Sequence, residues 1–243
     1  MKKVAVITNR IFLEYTPEDL RRVENILTYT IPPLNPLLGF PEHIRNLRRI
    51  KGNVVSIPSG RTDLIPSDYQ IIDKRTVCEV EFPEPRYELS ENQRGVFEAC
   101  NGHCIINAFP GWGKTFTALH IAKKLGQKTI VVVHNISLRE QWIAEVERLF
   151  GFKPGIIGSS QFSIHPIITI ANVQTLVNHI SAVNDVFGTL ILDEAHHVPA
   201  STFAKVVDQL RCKYKLGLTG TLQRKDKKHV IFQDYFTTKV FKP

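Results

Sequence analysis

The run CIINAFPGWGKTFTALHIAKKL, residues 104–125, constrains this chain more than any other segment. An apolar stretch of strand length passes through a glycine-rich turn directly into a helix-forming stretch. It follows the pattern GxxxxGK[ST], except that Ala108 stands at the first glycine position. The pattern suits phosphate groups, because Gly111 and Gly113 free the backbone to wrap around them and the helix start offers unpaired amide donors at a positive dipole end. Lys114 is placed to reach the β and γ phosphates of ATP and Thr115 to hold Mg2+, with Pro110, Trp112 and Phe116 bordering the same turn. A plain Gly-Trp-Gly turn before an ordinary helix is the competing reading, and the strand before it and the helix after it weigh against that.

From about Ser90 onward, apolar strand-length runs alternate with amphipathic helix-length stretches, the mark of βαβ units around a parallel sheet. The expected strands are CIINA, TIVVV, IITIA, TLILD and YKLGLT. In a parallel sheet ligands bind at the carboxyl ends of the strands, and TLIL delivers Asp193 and Glu194 to that edge. Asp193 there can hold Mg2+ through water, and Glu194 can polarise a water that attacks the γ-phosphate. A solvated acidic turn is the alternative for these two residues taken alone.

The stretch before Ser90 reads as a small α/β unit. VAVITNRIFLEYT has strand composition, and Thr16, Pro17 and Asp19 open a helix whose apolar face is Leu20, Val23, Ile26 and Leu27. Pro32, Pro33 and Pro36 are expected to end that helix, NVVSIP and DYQIID to form strand, turn and strand, and CEVEFPEP to form a last strand running into a linker. The boundaries are therefore placed at 1–85 and 86–243. In the run Arg45, Arg48, Arg49 and Lys51, a helix would place Arg45, Arg48 and Arg49 on one basic face, suited to a duplex backbone. A solvated face offset by nearby acids is the other reading of that run.

Composition limits the partners. The chain has 31 Lys and Arg against 23 Asp and Glu, a formal charge of +8, which favours a polyanion. Its four cysteines lack the density of a disulfide framework, and its start lacks a long apolar run. A cytoplasmic protein of a bacterial or phage-infected cell, with no membrane partner, is expected. Cys100, His103 and Cys104 raise a zinc site, but no second ligand pair lies at finger-like spacing.

AFPGWGKT, DEAH and LTGT together resemble motifs I, II and III of superfamily 2 helicases, and DEAH followed by His197 and VPASTF resembles the XPB-like, RecG-like and phage UvsW-like branch. VVVHNISLREQW is similar to motif Ia and ANVQTL to the segment called Ib or Ic. The resemblance implies a RecA-like P-loop domain with a mostly parallel sheet flanked by helices, using ATP and Mg2+ to move along nucleic acid, DNA ahead of RNA. It implies that Gln93 contacts adenine, although Ser90 and Gln93 also form a capping box. It puts His134, Asn135, Arg139, Gln174 and Thr175 on the nucleic-acid backbone, where hydroxyl, amide and guanidinium donors suit phosphates. Ser137 and Glu140 as helix caps, and Gln174 and Thr175 as a helix opening, are the plainer roles. His196, Thr219 and Thr221 would link the phosphate and nucleic-acid sites. Gly220 stands where alanine is commoner in the family, and His134 where proline is usual.

The family motor has a second RecA-like lobe that supplies arginines to the ATP cleft. Nothing after Thr221 resembles it, so that lobe is expected in cis or trans and the chain to turn over ATP slowly alone. The competing functions are the motor part of a restriction or remodelling complex and a nucleotide-regulated DNA-binding module without motor activity. A small-molecule kinase would leave LTGT and the Ia-like segment unexplained.

Overall fold

The computed structural model describes residues 3–33, 40–194, 200–220, 233–237 and 239–243. The front of the chain runs β1 (Val4–Ile7), β2 (Arg10–Glu14), α1 (Pro17–Ile26), β3 (Thr28–Ile31), β4 (Glu42–Arg45), β5 (Arg48–Lys51), β6 (Val54–Pro58) and β7 (Gln70–Asp73). The remainder runs α2 (Glu91–Ala99), β8 (Cys104–Asn107), α3 (Lys114–Leu125), β9 (Thr129–Val133), α4 (Ile136–Phe150), β10 (Gly155–Gly158), β11 (Gln161–Phe162), β12 (Ile168–Asn172), α5 (Val173–His179), β13 (Thr189–Asp193), α6 (Ala200–Gln209), β14 (Tyr214–Thr219) and β15 (Val240–Phe241).

The larger sheet has the order β11-β10-β12-β9-β13-β14-β8-β15. Every pairing in it is parallel except β10 with β11. All five expected strands form, and β10, β11 and β15 add to them. Successive side chains point to opposite faces, and here both faces are covered. Ile105, Ile130, Val132, Leu190 and Leu192 join one buried cluster, while Ile106, Val131, Val133, Ile191 and Leu216 join the other. This double burial is why the strands read as unbroken apolar runs.

The smaller sheet has the order β5-β6-β2-β1-β7 and encloses its own core around Ile11, Leu13, Leu20, Val23, Val55 and Ile57. The opening stretch forms two antiparallel strands. Three expectations for this region need correction. The helix starts as expected, with the Asp19 amide donating to Thr16 Oγ1 at 3.1 Å, but it stops at Ile26 because β3 pairs with β4 ahead of the prolines. NVVSIP and DYQIID form β6 and β7, yet β2 and β1 lie between them, since β7 pairs in parallel with β1 and needs a crossover. The segment CEVEFPEP forms no strand: Glu79 makes an isolated bridge to Gln127, as Thr76 just ahead of it does to Cys212, and the Val80 amide donates to Gly126 O of the larger unit.

The basic run is not a helix. Arg45 ends β4, and Arg48 and Arg49 lie on β5, which follows the register of β6, whose Val55 and Ile57 are core residues. Arg45 and Arg49 converge on Glu24, and Arg48 pairs with Asp208.

The two sheets are joined by buried polar contacts. Arg10, 1% exposed, donates to Asp208 Oδ1 at 2.9 Å, to Asn46 O at 2.7 Å and to Ser56 O at 3.1 Å. Arg61 donates to Asp234 Oδ1 at 2.9 Å. Asn46 and Tyr29 donate to Asp234 Oδ2 at 2.9 and 2.8 Å. Gly60 abuts the same turn, where a β-carbon would lie 2.5 Å from Asp234 O.

Lys215, fully buried at the start of β14, donates to Ser59 Oγ at 2.7 Å and to Val207 O at 3.3 Å. Burial lowers its ammonium to about 8, below the 10.4 or so of an unfolded lysine. Above pH 8 the folded chain loses this proton while the unfolded chain keeps it, so stability rises with pH in that window and falls as pH drops through 8. Denaturant midpoints at pH 7 and 9.5 should show the wild type gaining on the order of 2 kcal/mol relative to Lys215→Met. A parallel response in the two proteins would show that Lys215 titrates normally.

Candidate nucleotide site and adjoining groove

Strands β8, β14 and β13 are neighbours and parallel, so their carboxyl ends bring the glycine turn, Thr219 and Asp193 to one edge. Gly111 and Gly113 have φ of +88° and +94°, left-handed values that glycine adopts without strain. Gly113 directly precedes α3, whose first residue is Lys114. The Lys114 ammonium, 9% exposed, donates to Ala108 O at 2.9 Å and stands 3.9 Å from Glu194 Oε1. Thr115 and Phe116 follow in the first turn of α3, both half-buried, while Pro110 is exposed and Trp112 half-buried on the turn. The Thr117 hydroxyl donates to Gly113 O at 3.0 Å and ties the helix start to the turn.

Asp193 ends β13 and is 4% exposed. Burial pushes its carboxyl up to about 6, partly opposed by the hydrogen bond from Trp142. Glu194 follows with φ +48°, a left-handed conformation that costs a non-glycine residue on the order of 1–3 kcal/mol. A buried carboxylate with an elevated proton affinity beside a buried ammonium suits a bound cation that would restore its charge, so these residues fit Mg2+ held with a nucleotide. His196 and Thr221 lie outside the described residues. Thr219 is buried at the end of β14, and its carbonyl accepts from the Ala108 amide at 3.1 Å.

Gln93 occupies its cap position and reaches the glycine turn as well. Its Oε1 accepts from the Ser90 amide at 3.0 Å, and its Nε2 donates to Trp112 O at 3.1 Å. A β-carbon on Gly113 would lie 2.3 Å from that Nε2, the movable end of a side chain, so the φ of +94° more than this approach calls for glycine there.

The Ia-like and Ib-like residues gather on the neighbouring strand ends, those of β9 and β12. His134, Asn135, Ile136, Ser159, Asn172, Gln174 and Thr175 line a groove of about 420 Å³. Gln174 Nε2 donates to His134 O at 2.9 Å, which joins the two segments. Asn135, not Ser137, caps α4, its Oδ1 accepting from the Leu138 amide at 2.8 Å. Arg139 is 7% exposed and spent internally, donating to Ser159 Oγ and Asn172 Oδ1 at 2.9 Å each and pairing with Glu140. It braces the groove from below rather than presenting a free guanidinium. Arg45, Arg48 and Arg49 do not join this edge; they lie on the smaller sheet and its β3–β4 hairpin, in the ion pairs described above. His103 is engaged by Arg75 and by the Lys215 amide. Among the described residues no cluster of three or more His, Cys, Asp or Glu is arranged for a metal ion, and no helix is long and apolar enough to cross a membrane.

Sequence reasoning missed Trp142, whose indole N–H donates to Asp193 Oδ2 at 2.7 Å. Its only signal was a tryptophan on the apolar face of an amphipathic helix, which reads as core.

Residues 70–224 match the family model described as "Type III restriction enzyme, res subunit". The chain belongs to this family, within the superfamily 2 helicases. The "Probable helicase D10" of Escherichia phage T5 is 40% identical over 242 residues, 98% of this chain and 53% of that protein. The "DNA 3'-5' translocase XPB2" of Sulfurisphaera tokodaii is 34% identical over 66% of this chain and 37% of its own length. The chain thus spans about half or less of the curated relatives it matches. The crystal structure of the UvsW helicase from bacteriophage T4 superposes with a TM-score of 0.73 at 16% identity, covering all of both chains. That fold, a RecA-like helicase domain with a small sheet domain in front, is the architecture of this superfamily 2 chain.

Proposed function

We propose that this chain is the ATP-binding lobe of a nucleic-acid motor that translocates on or unwinds DNA. The observation that carries the reading is one sheet edge on which Lys114, Asp193 and Glu194 meet beside the groove on β9 and β12. Lys114 takes the β and γ phosphates in place of the Ala108 carbonyl, with the α3 amides and the glycine turn around them. Thr115 and Asp193 hold the Mg2+, which when bound neutralises charge on the phosphates. Glu194 orients the water, and Gln93, already against the turn, takes the adenine edge. Thr219, with His196 and Thr221, joins this site to the groove. There His134, Asn135, Gln174 and Thr175 follow the backbone of the polynucleotide, and the charge of +8 favours that partner. The relatives' names support a DNA substrate, and branched recombination, repair or replication intermediates are the expected structures.

A second RecA-like lobe, in cis or trans, is a required partner, since arginines of that kind supply roughly 10³–10⁵ in rate in related P-loop enzymes. Steady-state ATP hydrolysis by the chain, with forked DNA or single-stranded RNA added and Glu194→Gln as control, tests this. Slow turnover that Glu194→Gln removes is expected. Fast turnover dependent on Glu194 would show that one lobe suffices, and turnover indifferent to it would remove the catalytic role.

The front unit is a weaker DNA-binding element. Neutralising Arg49 and Lys51 together leaves Arg10–Asp208 and Arg48–Asp208 intact. The slope of log affinity against log salt for duplex DNA should then flatten by about one unit for each phosphate that these two cations neutralise in the wild type. An unchanged slope removes β5 from the DNA path.

A further inference from the structure

The hydrogen bond from Trp142 to Asp193 links α4 to β13 inside the core. Both residues are buried, at 1% and 4% exposure. An indole has one donor and no acceptor, so this contact has a fixed direction and commits Oδ2 of the carboxylate to α4. One turn earlier on the same helix, Arg139 is fixed to Ser159 and Asn172 beneath the groove. The helix that frames the groove therefore also sets the rotation of the carboxylate at the phosphate site.

We propose that Trp142 is a positioning residue for the nucleotide reaction: its indole N–H orients the Asp193 carboxylate toward Mg2+. The proposal rests on the reading of Asp193 given above. Carboxylates that hold metals are themselves held by hydrogen bonds, and loss of such a partner typically weakens metal binding 10–100-fold.

Trp142→Phe keeps the aromatic packing and removes the donor. In a titration of Mg2+ against a fluorescent ADP analogue, the variant should need about tenfold more Mg2+ for half-saturation. Its affinity for the analogue in EDTA should be unchanged, which a general loss of structure would not allow. In the ¹⁵N-labelled chain the two tryptophans give two indole signals. The one lost in Trp142→Phe should move when Mg2+ is added to the ADP-bound protein. Should Trp142→Phe fail to fold, Trp112→Phe assigns the signals and the wild-type shift decides alone. A wild-type Mg2+ requirement in Trp142→Phe, or an unmoved indole signal, overturns the proposal. If Asp193→Asn abolishes the Mg2+ dependence while Trp142→Phe does not, only the role of Trp142 fails. If the wild type shows no Mg2+-dependent nucleotide binding, the reading of Asp193 fails and this proposal with it.

Discussion

Lys114→Ala is expected to weaken binding of Mg2+–ATP by about 10–100-fold, because charge-assisted hydrogen bonds to phosphate contribute roughly 1.5–3 kcal/mol. The ammonium already sits in the turn on the Ala108 carbonyl. Nucleotide binding therefore exchanges a neutral acceptor for phosphate oxygens without drawing the side chain from distant solvent. Fold stability should change little, since the alanine removes a buried charge and deprives only the Ala108 and Phe109 carbonyls of a donor. Equilibrium titration with a fluorescent ATP analogue measures the loss, and a wild-type affinity in the variant would show that the glycine turn does not bind phosphate through Lys114.

Asp208→Ala should destabilise the chain by about 3–5 kcal/mol, the usual consequence of removing one partner of a buried ion pair. Asp208 is 5% exposed; its carboxylate receives Arg10 and Arg48, and its carbonyl receives the Asn9 side-chain amide. With the carboxylate gone, Arg10 retains Asn46 O, Ser56 O and Ser56 Oγ as acceptors, but its charge has no other counter-ion among the described residues. Denaturant unfolding measures the difference. Asp68→Ala, which removes the exposed partner of Lys3, should leave the midpoint where it is. A shift below about 1 kcal/mol in Asp208→Ala would mean that water reaches Arg10 and screens it.

Legibility in the sequence followed how local each signal was. The five central strands were readable because burial on both faces leaves no polar alternation to confuse with a helix. The glycine turn was readable because left-handed φ at residues 111 and 113 requires glycine at fixed spacing. Strands β11 and β15, of two residues each, fall below the length at which a pattern exists. The basic run was misread because Arg45, Arg48 and Arg49 have helical spacing, whereas pairing of β4 with β3 and of β5 with the buried β6 decided their conformation. Arg139 looked like a phosphate contact because a guanidinium at a helix start suits one. Its acceptors Ser159 and Asn172 lie 20 and 33 residues away, which no local pattern reveals. Trp142 and Asp193 are separated by 51 residues in the same way.

The contacts between Arg10 and Asp208 and between Arg61 and Asp234 bear on how this lobe can be recombined with others. Each pair takes its cation from the smaller sheet unit and its anion from the larger one, across 198 and 173 positions of sequence. Arg61 is also paired with Asp63 in its own unit, whereas among the described residues Asp208 and Asp234 meet cations only from the smaller unit. A chimera that grafts the ATP-binding unit behind a foreign front module would bring two buried aspartates to a face with no matching arginines. Exchange between relatives should therefore succeed only when the four residues travel as a set, which makes the seam, more than the linker, the unit of inheritance.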